Sequence, residues 1–131
     1  SAASDVYKRQ LLVAEDNELN WEIARELLSS YGFEPTWAKN GSICVEKFTE
    51  SEAGWYDAIL MDLRMPVMNG YEATKAIRES GREDADIPII AMTADAFAED
   101  VKRCIDCGMN AHIAKPIDIG ELIKILQKHI S

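Results

Sequence analysis

The chain has 131 residues and carries 14 Lys and Arg against 23 Asp and Glu, a formal net charge of −9. That length suits one domain with a real core, and 47% hydrophobic with 28% charged residues is a globular balance rather than a disordered one. The acidic excess argues against a nucleic-acid surface, which needs clustered cations to neutralise phosphates, and no apolar run reaches the roughly 18 to 20 residues of a membrane span.

Residues 1–7 have no apolar period and are expected to be tag or linker. The run Leu11-Leu12-Val13-Ala14 then stops at acidic residues, as a strand buried on both faces would. Asp16 and Asn17 are good helix N-caps. Behind them Ile23, Ala24, Leu27, Leu28 and Tyr31 share one helical stripe, closed by Gly32. Phe33 to Ala38 is a second strand whose Pro35 cannot donate to a ladder, which puts it at a sheet edge. Asn40-Gly41 turns into a helix with Cys44, Val45 and Phe48 inward.

The third strand runs Asp57 to Met61 and ends at Asp62. Asn69-Gly70 opens a helix with Ala73, Ala76 and Ile77 inward, and Ile87 to Met92 is a fourth strand ending at Thr93. A helix from Ala98 to Cys107 is stopped by Gly108. Ala111 to Ala114 forms a fifth strand before Lys115-Pro116, and the last helix carries Leu122, Ile123, Leu126 and Ile130. The result is an α/β chain of the form (βα)5. Alternation of this kind implies right-handed crossovers and a doubly wound parallel sheet. With strand two at the edge, the order 2-1-3-4-5 is favoured.

Ligands of such sheets bind beyond the carboxyl ends of the strands. Glu15 and Asp16, then Asp62, Thr93 and Lys115 all follow strand ends, so three carboxylates, a hydroxyl and an ammonium meet at one edge. Mutual repulsion of the carboxylates calls for a cation, and oxygen ligands without a Cys/His cluster suit Mg2+. The chemistry this suggests is phosphoryl transfer to a carboxylate: Asp62 attacks phosphorus in line, Mg2+ and Lys115 neutralise the equatorial oxygens, and Thr93 donates a hydrogen bond.

The segments Leu12-Val13-Ala14-Glu15-Asp16-Asn17, Met61-Asp62-Leu63-Arg64-Met65-Pro66-Val67-Met68-Asn69-Gly70, Met92-Thr93-Ala94 and Ala114-Lys115-Pro116 resemble the receiver domain of two-component response regulators. The resemblance runs from Gln10 to Ile130 and implies a receiver over residues 8–131. It implies the flavodoxin-like fold, which shares the strand order above. It also implies Asp62 as phosphoacceptor and Thr93 and Lys115 as phosphoryl-holding residues. Asp16, Asp62 and the carbonyl of Arg64 would ligate Mg2+, with Glu15 acting largely through water, and the Lys115-Pro116 bond would be cis. The implied partner is a histidine kinase or histidine phosphotransfer domain. Residues Met92 to Asp118 look most like receivers of hybrid sensor histidine kinases, and the reading stays open between an excised kinase receiver and a single-domain shuttle. A homodimer is left open as well.

Several residues carry two readings. Many receivers hold Tyr or Phe where this chain has His112, so a two-position aromatic switch with Thr93 competes with an imidazole filling a notch. Arg64 and Asp95 each lie two residues past a site residue; they either pair across the site and hinder water or remain solvated. Cys104 and Cys107 form C-x-x-C inside a helix rather than at a helix start, which disfavours zinc or redox chemistry. Three cysteines make no disulfide framework, and the chain is expected to be reduced and cytoplasmic. Leu19 and Trp21 are expected to be exposed beside the acid pair, either as a docking surface for a phosphohistidine-bearing bundle or as isolated apolar residues. Two other functions compete with this one: a degenerate receiver used only for protein contacts, which would typically lack a site residue, and an aspartyl-phosphate phosphatase of the haloacid-dehalogenase type. The phosphatase would place a second Asp where Arg64 stands.

Overall fold

The computed structural model describes residues 9–94 and 98–130. Its order is β1 (Arg9–Ala14), α1 (Glu18–Ser30), β2 (Phe33–Ala38), α2 (Gly41–Glu50), β3 (Ala58–Asp62), α3 (Gly70–Arg78), β4 (Ile89–Thr93), α4 (Ala98–Cys107), β5 (Ala111–Ala114) and α5 (Ile119–His129). All strand pairs are parallel, in the order β2-β1-β3-β4-β5. Pro35 thus lies on an edge strand, where its missing N–H costs nothing. The expected residues 1–7 lie outside the described residues.

Period-two alternation divides the strands between two cores. Leu12, Ala14, Ile59, Met61, Ile89 and Ala91 pack toward Cys44, Phe48 and Ile77. Leu11, Val13, Leu60, Ile90, Met92 and Ile113 pack toward Ala24, Leu28, Leu122 and Leu126. Both faces of β1, β3 and β4 are covered, so these strands read as continuous apolar runs. Asn17, Asn40, Asn69 and Asp118 each cap a helix through a side-chain oxygen, and Asn69 with Glu72 closes a capping box on α3.

The buried stripe of α1 corrects the expectation from sequence. Trp21, Ala24 and Leu28 are buried, whereas Ile23 and Tyr31 are about half exposed. Trp21 therefore faces inward, and its ring stacks on Trp37 of β2 with centroids 5.7 Å apart and planes 3° from parallel. Leu19, by contrast, is 65% exposed as expected. On α3 the inward position beside Ala73 and Ile77 is Thr74, and Ala76 is only half-buried. β3 and β4 each start a little later than expected and keep Asp62 and Thr93 as their last residues.

Candidate functional site

Parallel register brings the strand ends to a common level. Ala14 pairs with Met61, Asp62 with Met92 and Thr93 with Ala114, so the residues following β1 and β5 lie beside the ends of β3 and β4. The Lys115 amide donates to the Thr93 carbonyl at 2.8 Å, extending the ladder one step past β5. Glu15, Asp62 and Thr93 are buried, while Asp16 is exposed. The five polar residues picked out in sequence are thus gathered at one edge.

Lys115 organises their charge. Its Nζ donates to Glu15 Oε1 at 2.7 Å and to Asp62 Oδ2 at 3.1 Å. Burial pulls this ammonium down, but the hydrogen bonds and negative charge of Glu15 and Asp62 outweigh it and hold the pKa above the ordinary 10.5. Backbone donors complete the carboxylates: Asn17 N–H reaches Glu15 Oε2 at 3.2 Å and Arg64 N–H reaches Asp62 Oδ1 at 3.2 Å. Carboxylate oxygens of Glu15, Asp16 and Asp62 lie within 4.8 Å of one another, close enough to share one hard cation. Thr93 Oγ1 is buried with no hydrogen-bond partner among the described residues. A buried hydroxyl in that state is costly unless a ligand completes it. A cleft of about 610 Å³ opens over these groups, with Arg64, Asn69, Tyr71 and Arg103 on its walls.

The segment between Asp62 and α3 makes the near wall. A Cβ on Gly70 would overlap the Asp62 carbonyl oxygen, so only glycine lets the helix start this close to the strand end. Pro66 to Met68 form a tight turn in which Met68 N–H donates to the Pro66 carbonyl at 2.7 Å and Val67 takes a φ of 71°. A β-branched side chain pays a strain of about 1–2 kcal/mol in this left-handed region, against roughly 0.5–1 kcal/mol of extra chain entropy for glycine. Val67 is 84% exposed and gives up no packing. Val67→Gly is therefore expected to raise stability by up to about 1 kcal/mol, read as a higher urea midpoint at unchanged slope.

The remaining expectations separate clearly. Lys115-Pro116 is cis. His112 is half-buried on β5, in register with Ala91 of β4 and therefore on the sheet face that carries Thr93. Asp95 lies outside the described residues. Cys104 is buried and Cys107 half-buried, with Cys107 Sγ donating to the Cys104 carbonyl; burial raises both thiol pKa values, so neither is an activated thiolate. Trp37 lies off the apolar stripes of the sequence, and no motif there assigns it to the site. Its Nε1–H donates to the carbonyl oxygen of Glu15 at 2.7 Å, directly behind the acid pair. Alternation along Phe33, Pro35 and Trp37 was the available signal, since it sets Trp37 on the sheet face shared with α1.

The response regulator receiver domain family matches residues 11–127. Among curated relatives, hybrid signal transduction histidine kinase I of Dictyostelium discoideum is 38% identical over 98% of this chain, which spans only 8% of that protein. Among solved structures, the receiver domain of sensor histidine kinase PA1611 from Pseudomonas aeruginosa, determined with magnesium in its active-site cleft, is 39% identical with a TM-score of 0.83, covering 94% of this chain and 98% of that one. A receiver domain from a Saccharomyces cerevisiae response regulator, co-crystallised with a histidine phosphotransfer protein, is 31% identical with a TM-score of 0.82, covering 93% and 88%. The chain belongs to the response regulator receiver family of two-component signalling, in the flavodoxin-like fold.

Proposed function

We propose that this receiver accepts a phosphoryl group from a phosphohistidine onto Asp62. The observation that carries the reading is the pairing of a buried, lysine-bound carboxylate with an unsatisfied threonine hydroxyl across one cleft. An Asp62 carboxylate oxygen attacks phosphorus, the P–N bond breaks, and its electron pair stays on the leaving imidazole nitrogen. The product is an acyl phosphate, later lost to water or to another histidine. Lys115 then faces a phosphoryl oxygen, and Thr93 Oγ1, which has no partner among the described residues, donates a hydrogen bond to it. Asp16, Asp62 and the Arg64 carbonyl would hold Mg2+, with Glu15 acting largely through water; when bound, the ion offsets negative charge on the phosphoryl oxygens. The magnesium in the PA1611 cleft supports this assignment.

Residues 8–131 form the receiver in this reading, and the donor is a histidine kinase or a histidine phosphotransfer domain of the kind seen with the yeast receiver. Leu19 and Ile23, exposed on α1 beside the acid pair, offer the apolar contact for such a helical partner. No described helix is long and apolar enough to cross a membrane, and the three free thiols fit the reducing cytoplasm. Resemblance to hybrid kinases along most of the chain favours a receiver taken from such a kinase over a free shuttle.

The test is incubation with Mg2+ and phosphoramidate, followed by intact-mass measurement. A single base-labile adduct of one phosphoryl group is expected. Sustained hydrolysis of an added phosphoester would instead indicate a phosphatase, and no adduct a degenerate receiver. Two threonines sharpen the assignment, since Thr74 Oγ1 is the other buried hydroxyl without a partner among the described residues. Thr74→Val swaps that hydroxyl for a methyl inside α3 and is expected to leave labelling unchanged and stability equal or up to about 1 kcal/mol higher. Thr93→Val is expected to keep stability in the same way while slowing adduct formation about tenfold or more. Equal labelling rates in the two variants would remove Thr93 from the mechanism.

A further inference from the structure

Edge strand β2 grips the acid-pair loop at both peptide groups of Glu15. The Glu15 N–H donates to the Ala38 carbonyl at 3.0 Å, and the Glu15 carbonyl accepts from Trp37 Nε1–H at 2.7 Å. Trp37 cannot easily swing away. One face of its ring lies on buried Trp21, and the Lys39 ammonium sits 5.4 Å from its centroid. The carbonyl it holds belongs to the peptide joining Glu15 to Asp16, so the orientation of that peptide sets where the Asp16 side chain leaves the backbone. Asp16 is exposed, unlike Glu15 and Asp62, so the peptide that carries it has the larger share in setting its direction.

We infer that Trp37 is a positioning residue for the cation site, its indole N–H locking the Glu15–Asp16 peptide so that the Asp16 carboxylate points at the oxygens of Asp62. This rests on the reading of the acid cluster as a Mg2+ site. An apolar ring that merely filled space would contribute to stability and leave ion affinity alone; a donor that orients the loop changes ion affinity as well, because outer hydrogen bonds tune metal ligands.

The experiment measures the Mg2+ dissociation constant by amide NMR titration, together with the melting temperature of the ion-free protein. Two variants are compared with wild type: Trp37→Phe, and 3-benzothienylalanine placed at position 37, which keeps the bicyclic shape and replaces only the N–H by sulfur. The dissociation constant is expected to rise about three- to tenfold in both, the range one hydrogen bond commands, with the benzothienyl protein melting close to wild type. An unchanged constant in the benzothienyl protein overturns the role of Trp37, even if Trp37→Phe fails to fold. Absence of Mg2+ binding by the wild type would overturn the cation reading beneath it.

Discussion

Asp62→Asn is expected to take up no phosphoryl group from phosphoramidate, with labelling down at least about a thousandfold while the fold persists. The amide is nearly isosteric, and its oxygen can still accept from Arg64 N–H, which lies 3.2 Å from Asp62 Oδ1. What it lacks is a negative oxygen able to attack phosphorus. The neighbouring Glu15 does not replace it: one of its oxygens is held by Lys115 at 2.7 Å and the other by Asn17 N–H at 3.2 Å. That same Lys115–Glu15 contact survives the substitution, so the melting temperature should move by only a few degrees. Magnesium affinity should fall, because one of three clustered carboxylates has gone. Intact-mass measurement after labelling decides the matter, and an adduct at the wild-type level on the Asn variant would remove Asp62 from its role.

Lys115→Met is expected to act on stability and chemistry together. Methionine keeps much of the stem volume but leaves Glu15 and Asp62, both largely buried, facing each other without a counter-charge. Removing one partner of a partly buried ionic cluster costs on the order of 2–3 kcal/mol, a drop of roughly 10 °C for a domain of this size. Added Mg2+ should recover part of that loss in the variant, since a divalent ion can supply the missing positive charge. The adduct-forming rate should fall about a hundredfold, as expected when one donor to a developing anion is removed.

The pH dependence has a definite sign. Because the folded-state pKa of Lys115 lies above its ordinary 10.5, its contribution is fully present below that value and is lost as pH rises through the folded-state pKa. Wild type should therefore lose more stability than the Met variant across that alkaline range, measured by urea midpoints. Parallel curves would show that Lys115 is not engaged with the carboxylates in solution.

Much of the architecture was legible because it rests on short-range rules. Apolar runs broken by Asn-capped helices specify five strand–helix units, and a proline in the second run assigns the edge. The clustering of Glu15, Asp16, Asp62, Thr93 and Lys115 was legible for a related reason. Parallel strands all present their carboxyl ends on the same side, so residues far apart in sequence must meet once each is placed just past a strand.

Other features were not written in any single window. The buried stripe of α1 turned out to run through Trp21 rather than Ile23 and Tyr31, because a tryptophan on β2 offers a flat partner that helical periodicity cannot anticipate. Arg78 was silent in sequence, yet its guanidinium bonds the carbonyls of Ala85, Ile87 and Gly108 and the Asn110 side chain, tying the approach to β4 to the approach to β5. The closeness of Gly70 to the Asp62 carbonyl likewise emerges only when helix and strand are docked. Local patterning determined which residues lie at the strand ends, since it depends on spacing along one chain segment. Tertiary structure alone decided how they are held, since hydrogen bonds and ring stacking depend on separations of a few ångströms between segments that the sequence leaves far apart.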